Sequence, residues 1–349
     1  MKLINTVDAE GMVLCHDITQ IIIGVTKDAV FRKGHIVTKE DIPVLLSVGK
    51  DTLYVWENDE NMLHENDAAE ILREMCQGEH MCRSEVKEGK IELTAECDGL
   101  LKVHAEGLRA VNGFGEMMIA TRHGNFEVHK GDKLAGTRII PLVIEKEKME
   151  KAREKCMEAT GGRPILELKP FAHKKAGIVT VGNEVFYGRI QDTFTPVVEE
   201  KLSVYDTEVI AHETFEDNDT KVTDSILGMI MQGADMVICT GGMSVDPDDK
   251  TPLAIKNTGA RVVSYGAPVL PGAMFMIAYY EVKGQDSRTV AIMGLPGCVM
   301  YAKRTIFDLV LPRVMADDEV TKEDLAALGE GGLCRGCDIC TFPNCGFGK

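Results

Sequence analysis

The sequence lacks three features that would each assign it to a broad class of protein. It has no unbroken apolar run of about 18 residues, the length that a membrane-spanning helix needs. Its first residues, MKLINTVDAEG, contain no apolar segment of the kind found in secretory signals. Basic residues are few, because 39 Lys and Arg stand against 55 Asp and Glu, which gives a formal net charge of -16. We therefore expect a cytoplasmic protein with no membrane segment and no nucleic-acid-binding surface.

Histidine metal motifs are also lacking, whereas cysteine is plentiful. The 9 histidines follow neither H-x-x-x-H nor H-E-x-x-H spacing. Of the 11 cysteines, four lie near the chain end in the pattern C-x2-C-x2-C-x4-C: Cys334, Cys337, Cys340 and Cys345. Four such thiols in a reducing compartment are typical metal ligands, and C-x2-C-x2-C resembles half of a bacterial ferredoxin motif. A [4Fe-4S] cluster, Zn²⁺ and free thiols stay open as alternatives.

The pattern of apolar residues divides the chain into regions of different character. Short β-like runs separated by glycines predict a small antiparallel unit, and a charged helix follows it. Residues 317–333 are acidic and glycine-rich, which predicts a tether. The expected regions are a 1–89 N-terminal α/β segment with a helical connector, a 90–165 small β-rich domain with a trailing helix, a 172–316 α/β domain, and a 317–349 tether with a cysteine-rich tail.

From residue 172 onward, apolar strands alternate with helical segments. KAGIVTVG, ADMVICTGG and SRTVAIMGLPG read as strands that are apolar on both faces. Alternation of this kind predicts an α/β fold with a doubly wound, mostly parallel sheet, preceded by a smaller β-rich N-terminal region. A last helix is predicted over residues 298–314, CVMYAKRTIFDLVLPRV.

Three stretches rich in glycine and acidic residues follow these strands: GNEVFYGRIQDT, TGGMSVDPDDKTP and GLPG. Ligands of open parallel sheets bind at the carboxyl ends of the strands. Glycines allow close approach of a backbone to an anion, helix N-termini add positive dipoles, and aspartates suit a divalent cation bridging to phosphate. Simpler explanations are tight turns for the glycines, an N-cap for Asp192 and helix-start aspartates in the second stretch.

The same three stretches resemble the molybdopterin-binding domain of molybdenum cofactor biosynthesis proteins, over about residues 172–315. This resemblance implies a three-layer α/β domain whose loops bind the phosphate and dithiolene of the pterin, in dimers or trimers. The functional aspartate that precedes "xTP" in the family is Asp249 here. The aspartate after the first strand corresponds to Asp192.

Several groups in that family share features with this sequence. GGMSV is similar to the molybdenumtransferases, PDDKTP to the adenylyltransferases, and GNEVFYGRIQDT to the competence-damage-inducible group. The N-terminal stretch FRKGHIVTKEDIPVLLSVGKDTLYV also resembles the molybdenumtransferases, and this favours them. The sequence departs from the molybdenumtransferases at Asp246, where glycine is usual, and in the cysteine tail that replaces a β-barrel. It departs from the competence-damage-inducible group at Asn183, where aspartate is usual.

The resemblance implies a role in molybdenum cofactor biosynthesis: binding of molybdopterin, or its adenylated form, and Mg²⁺-dependent molybdate insertion. A non-catalytic cofactor carrier or sensor and a molybdopterin adenylyltransferase are the alternatives. Asp249, as Mg²⁺ ligand, and Asp192 are the expected catalytic residues. The residues expected to bind the pterin are Gly182, Glu184, Thr240, Gly241, Gly242, Ser244, Asp246, Asp248, Lys250, Gly294, Pro296 and Gly297. Expected protein partners are further copies of the chain and a molybdoenzyme or another cofactor biosynthesis protein.

Overall fold

The computed structural model describes residues 2–22, 26–55, 60–244, 246, 249–284 and 287–349. It divides into two compact units. The first comprises Met1–Glu96, Val103–Arg122 and Gly131–Glu167, and the second comprises Cys97–Lys102, His123–Lys130 and Leu168–Lys349. Within the described residues, no helix has the length and apolar character that crossing a bilayer requires.

The chain up to residue 170 forms short strands and helices. The strands are β1 (Lys2–Asn5), β2 (Ile18–Ile22), β3 (Thr26–Phe31), β4 (Thr52–Val55), β5 (Met62–His64), β6 (Met81–Arg83), β7 (Lys90–Ala95), β8 (Gly99–Val103), β9 (Met117–Thr121), β10 (Phe126–Val128), β11 (Lys133–Ile139), β12 (Val143–Glu145) and β13 (Leu166–Pro170). The helices are α1 (Asp41–Ser47), α2 (Glu65–Cys76), α3 (Ala105–Asn112) and α4 (Lys146–Thr160).

The first unit is antiparallel, as the glycine-separated β-like runs predict. Its largest described sheet has the strand order β6-β7-β11-β9, and β1 pairs with β4, β2 with β3 and β5 with β12. Helix α2 begins after His64, whose ring accepts a hydrogen bond from Asn66 N at 3.1 Å. Helix α4 ends at Gly161, which adopts a φ of 64° that favours glycine.

The rest of the chain alternates strands with helices. The strands are β14 (Lys175–Val181), β15 (Glu208–Phe215), β16 (Met236–Thr240), β17 (Arg261–Tyr265), β18 (Met276–Val282) and β19 (Arg288–Leu295). The helices are α5 (Asn183–Phe186), α6 (Thr195–Ser203), α7 (Asp219–Met231), α8 (Thr251–Asn257), α9 (Ile306–Met315) and α10 (Lys322–Ala327). A 3₁₀ turn, Gly297–Met300, follows β19.

These strands form a sheet in the order β15-β14-β16-β19-β18-β17. The first four strands are parallel, and β18 lies antiparallel to both of its neighbours. Successive residues point to opposite faces, so Ile178 and Ile238 pack with α6 and α9 while Val179 and Val237 pack with α7 and α8. The three-layer, mostly parallel α/β fold is confirmed.

Two parts of the second unit differ from the expectation. Helix α9 begins at Ile306 rather than near residue 298, because Thr305 and Asp308 form a capping box there. Residues 317–333 contain α10 instead of an extended tether. The buried Asp318 carboxylate holds this region, accepting hydrogen bonds from Arg313 Nε at 2.6 Å and from Lys169 Nζ at 2.9 Å.

Two segments within the range expected for the small β-rich domain belong to the second unit. They are residues 97–102 and 123–130, which contribute most of β8 and all of β10. The reason is burial, since Phe126 of β10 is a member of the main apolar core of the second unit. The side chain of Tyr205 also donates a hydrogen bond to Glu127 at 2.7 Å.

Candidate functional site

The register of three parallel strands brings the three glycine-bearing stretches to one edge of the sheet. Thr180 of β14 pairs with Thr240 of β16, and Thr240 pairs in turn with Leu295 of β19. The loops that follow these strands therefore start side by side. This is the carboxyl edge of the parallel strands, where open α/β sheets bind their ligands.

The turn after β16 requires glycine at both positions. Gly241 and Gly242 have φ of 77° and 57°. A Cβ on Gly241 would lie 1.9 Å from the carbonyl oxygen of Val181, and a Cβ on Gly242 would lie 2.8 Å from Thr251 Oγ1. Thr251 at the start of α8 fixes the turn by donating its hydroxyl hydrogen to Gly241 O at 2.8 Å. This loop is thus joined closely to both β14 and α8.

The outer part of the same loop carries acidic residues. Ser244 and Asp246 are exposed, whereas Asp249 is half-buried. Asp249 N donates to Asp246 O at 2.9 Å, so the backbones of the two aspartates are in contact. Tyr265 of β17 donates its hydroxyl hydrogen to Met243 O at 2.9 Å and so supports the loop from beside it. Burial, followed by the negative charge of Asp249, raises the pKa of Tyr265.

Two further residues of this loop, Lys250 and Asp248, are expected to bind the ligand. Lys250 is half-buried at the N-terminal end of α8, where its carbonyl oxygen accepts from Ala254 N at 2.9 Å. Asp248, which is expected to bind the ligand, lies outside the described residues.

The first loop turns sharply at Gly182, whose φ is 153°. The side chain of Glu184 is exposed, while its carbonyl oxygen accepts from Arg189 N at 2.8 Å. The Arg189 guanidinium lies over the Tyr187 ring, 5.3 Å from its centroid. Glu184 and Arg189 therefore face solvent at the mouth of the loop, and neither is part of a buried charge network.

Asp192 closes the first loop and is held by the start of α6. Its Oδ1 accepts from Phe194 N at 2.8 Å and Thr195 N at 3.1 Å, and its Oδ2 accepts from the Thr195 hydroxyl at 2.6 Å. Burial alone would raise the pKa of Asp192, but these hydrogen bonds outweigh it and hold the pKa below its usual range. A carboxylate accepts about four hydrogen bonds. Asp192 therefore has little capacity left for a ligand.

The third loop, GLPG at residues 294–297, carries no charged side chain. A Cβ on Gly294 would lie 2.5 Å from Met243 Sδ, so this glycine makes room for the side chain of the second loop. Pro296 is buried, and Gly297 is exposed at the start of the 3₁₀ turn with open space around its Cα. Gly297 is thus the exposed member of GLPG, with room beside its backbone.

Sequence reasoning missed a group of polar side chains under these loops. Thr180 Oγ1 lies 3.0 Å from His212 Nε2 of β15 and 3.3 Å from Asp192 Oδ2. Thr240 donates its hydroxyl hydrogen to Thr180 at 3.3 Å. The available signal was a threonine near the end of each of two apolar strands, in VTVG and VICTGG. His212 gave no such signal, because it stands in an edge strand.

The cysteines next to the loops are poor nucleophiles. Burial raises the pKa of Cys239 to about 12, and burial also raises the pKa of Cys298. The thiolate is the reactive form of cysteine, so neither thiol is activated at neutral pH.

The four tail cysteines all line one cavity of about 440 Å³. The tail is anchored to the second unit by Phe347, which is 4% exposed, and by a hydrogen bond from Cys334 N to Leu270 O at 2.8 Å. Across the described residues, no three His, Cys, Asp or Glu side chains come together as ligands of one metal ion.

Comparison with known families agrees with this geometry. Residues 177–330 match a family model described as "Probable molybdopterin binding domain". This part of the chain is therefore similar to the molybdopterin-binding domain family. Residues 3–57 match a different model, described as a domain of unknown function. The resemblance stated for residues 172–315 is confirmed.

Individual relatives carry this domain in different contexts. The chain is 28% identical to the molybdopterin adenylyltransferase of Pyrococcus furiosus over 37% of this chain and 80% of the relative. It is also 28% identical to the molybdopterin molybdenumtransferase of Haemophilus influenzae, over 43% of this chain and 37% of the relative. A CinA-like protein of Syntrophus aciditrophicus is 34% identical over 23% of this chain and 19% of the relative.

The chain therefore spans less than two-fifths of the length of two of these three curated relatives. A solved structure, the tungsten cofactor synthesizing protein MoaB of Pyrococcus furiosus, is 24% identical with a TM-score of 0.31. That match covers 36% of this chain and 84% of the solved chain.

Proposed function

We propose that this chain acts in molybdenum cofactor biosynthesis, binding molybdopterin or its adenylated form at the strand-end loops and promoting molybdate insertion into the dithiolene. The observation that carries the proposal is the register that aligns Thr180, Thr240 and Leu295. It starts three loops side by side on a domain of the molybdopterin-binding family.

The phosphate of the pterin would lie against the backbone of the second and third loops. Gly241 and Gly242 carry no side chain and have positive φ, so a ligand can approach their N–H groups closely. Gly297 offers open space at the start of its 3₁₀ turn. Lys250 and Arg189 are the cationic side chains of these loops, and they would neutralise part of the charge of the ligand.

The carboxylates fit a Mg²⁺ ion that is completed by its ligand. Mg²⁺ in phosphate sites is usually bound by one or two carboxylates together with water and substrate oxygens. Asp246 and Asp249 are joined by a backbone hydrogen bond and would supply two such groups. When bound, Mg²⁺ would neutralise charge and align molybdate with the pterin. In this proposal Asp249 is the catalytic carboxylate. Asp192 acts as a positioning residue, since its oxygens hold the start of α6.

Adenylyl transfer is the second candidate function, and one observation favours it. The match covers 80% of the Pyrococcus adenylyltransferase but only 37% of the Haemophilus molybdenumtransferase. The same loops would then bind ATP beside the pterin. A carrier or sensor of the finished cofactor would use the loops for binding alone.

One experiment separates the three functions. The purified chain is incubated with molybdopterin, Mg²⁺ and either molybdate or ATP, and the products are assayed by reconstitution of an apo-molybdoenzyme and by detection of adenylated pterin. We expect active cofactor in the molybdate reaction. We also expect Asp249→Asn to lower its rate by about 100-fold or more while pterin binding changes little, since loss of a transition-state charge contact acts on rate.

The matched control is Asp224→Asn, which removes an exposed carboxylate from α7. Adenylated pterin without cofactor would assign the second function. Pterin binding with neither product would assign the carrier. Wild-type rates in Asp249→Asn would exclude Asp249 as the catalytic residue.

The proposal extends to assembly, location and the tail. The family resemblance predicts a homo-oligomer that works with a molybdoenzyme or another cofactor biosynthesis protein. A cytoplasmic location suits the 11 cysteines, all of which are free thiols in the structure. We include metal binding by Cys334, Cys337, Cys340 and Cys345, either as zinc or as an iron–sulfur cluster.

A further inference from the structure

The tail cysteines surround a cavity instead of meeting at a point. Cys334, Cys337, Cys340 and Cys345 line the same cavity of about 440 Å³. Phe347 and Phe342 line it too, and Phe342 packs on Phe126 of the core with 5.8 Å between ring centroids. The cavity therefore has a wall that is fixed to the folded unit, although residues 333–349 contain no regular helix or strand.

This arrangement does not suit a single ion. Zinc binds sulfur at about 2.3 Å, so four thiolates around one zinc ion must lie within roughly 4 Å of each other. Within the described chain, which includes all four cysteines, no three metal-binding side chains form a ready-made site for one metal ion. In a [4Fe-4S] cluster each of the four cysteines binds a different iron, so the thiolates are spread around a larger body. A cavity of about 440 Å³ has room for such a body.

The charges around the cavity fit an anionic cluster. Three cationic residues line it, namely Lys303, Arg304 and Arg335, against one carboxylate, Asp338. Lys303 Nζ donates to the carbonyl oxygens of Cys337 at 3.2 Å and Asp338 at 2.6 Å, which holds the segment between two of the cysteines. Arg304 donates from Nη1 to Asp308 Oδ1 at 2.9 Å and lies over the Phe342 ring at 4.9 Å. Two cations are thus fixed beside the thiols.

We propose that this cavity holds a [4Fe-4S] cluster, with each of the four tail thiolates binding one iron. The four thiols release their protons to solvent on binding, and a [4Fe-4S]²⁺ core with four thiolates has a net charge of -2. Lys303 and Arg304 partly balance that charge. The iron and sulfide come from iron–sulfur cluster assembly.

The cavity is continuous in the chain with the third loop of the candidate pterin site. Residues 301–304 form part of its wall and directly follow the 3₁₀ turn Gly297–Met300. This inference rests on the proposed binding of metal by the tail cysteines and specifies an iron–sulfur cluster there. It is independent of the proposed molybdate chemistry.

The test uses the full chain purified without oxygen. Iron, acid-labile sulfide and zinc are quantified, and the absorption and electron paramagnetic resonance spectra are recorded before and after reduction with dithionite. We expect about four iron and four sulfide per chain, with a charge-transfer absorption that bleaches on reduction. Cys337→Ser/Cys340→Ser should lose at least half of the iron, whereas Cys82→Ser, which alters an exposed cysteine of the first unit, should retain it.

Three outcomes would overturn the inference. About one zinc per chain without sulfide would leave the tail as a metal site and refute the cluster. Four freely alkylated tail thiols without metal, before and after anaerobic reconstitution with iron and sulfide, would refute both the cluster and metal binding by the tail. Wild-type iron in the double variant would place the iron on other residues. Pterin binding, measured on the same samples, reports separately on the strand-end loops.

A second variant keeps the inference testable if the cysteine variants fold poorly. Arg304→Gln removes a positive charge beside the cluster, so the reduction potential should become more negative, while Arg304→Lys should stay close to the wild type. A positive charge favours the reduced cluster, which carries one more negative charge. An unchanged potential in Arg304→Gln would contradict a cluster in this cavity.

Discussion

The two candidate sites of the second unit are built in different ways. The strand-end site is formed mainly by backbone, and its described polar side chains largely serve to hold the loops. Thr251 fixes Gly241, Tyr265 supports Met243, and Asp192 caps α6. The cysteine cavity is formed by side chains on a segment without regular structure, anchored by Phe347 and by contacts of Lys303.

This difference determines which substitutions each site should tolerate. A backbone site depends on a few positions where a side chain cannot fit, and its loops should keep their conformation when exposed residues are changed. A side-chain site depends on its ligands and on the anchor that keeps them together. Substitutions that disturb one of the two sites and leave the other intact therefore test both proposals.

The largest effect is expected from removing the tail anchor. Phe347 is 4% exposed in the main core, and truncation of a buried phenylalanine typically costs about 3–5 kcal/mol. We expect Phe347→Ala to release the tail, lower the melting temperature and lose the metal, while pterin affinity changes less than about twofold. Calorimetry, metal analysis and pterin titration measure the three effects.

Phe186→Ala is the control for this variant, since Phe186 is 43% exposed on α5. It should change the unfolding free energy by less than about 0.5 kcal/mol. Full metal content in Phe347→Ala would show that the tail binds its metal without the anchor. A large loss of pterin binding would show that the two sites are coupled through residues 297–304.

The next effect is expected at the turn after β16. Gly241→Ala places a Cβ 1.9 Å from Val181 O at a φ of 77°. A non-glycine residue in this region costs about 1–3 kcal/mol before the clash is counted. We expect at least about 2 kcal/mol of destabilisation and a pterin affinity lowered by about tenfold or more, with the tail metal unaffected. Denaturant unfolding and pterin titration provide the measurements.

Gly297→Ala is the matched control, because a Cβ there meets nothing within 4 Å. It should unfold like the wild type. Equal stability of the two variants would mean that the turn relaxes freely. The close packing of Gly241 on Val181 would then not be required for the site.

Much of the fold could be predicted from sequence because parallel strands leave a strong signal. Apolar runs ending in glycine located β14, β16 and β19, and strand polarity then brought their loops together. Strand β18, MIAYYEV, lacks this signal, because its apolar run carries no glycine-rich end. The start of α9 was placed too early, since the apolar residues before Thr305 hide its capping box.

Predicting the sites had a different limit. Residue types were enough to select the loops and the four cysteines. They could not show that the oxygens of Asp192 are already occupied, because that depends on Thr180 and Thr195 reaching it from β14 and α6. Nor could spacing alone distinguish a single ion from a cluster. The proposal of a cluster rests instead on the size of the cavity that the cysteines line.

The smallest expected effect is at Asp192, and it depends on pH. Hydrogen bonds lower the pKa of folded Asp192 despite its burial, so the carboxylate stabilises the fold above its unfolded pKa of about 4. That contribution is lost as the pH falls through the folded pKa. Asp192→Asn keeps an acceptor oxygen but loses the charge, so we expect a cost of about 1 kcal/mol at pH 7. Urea unfolding of both proteins from pH 7 to pH 3 measures it.

The difference in unfolding free energy between the wild type and Asp192→Asn should narrow below about pH 4, because the unfolded wild-type carboxylate binds a proton there while the folded one does so only at lower pH. Asp246→Asn provides the comparison, since Asp246 is exposed and should change stability little at any pH. A constant gap across the pH range would mean that Asp192 acts through its shape and not through its charge. In Asp192→Asn, pterin affinity should fall only because the first loop is held less firmly, since no direct ligand contact is lost. A complete loss of binding in Asp192→Asn, with little change in stability, would instead make Asp192 a direct ligand contact.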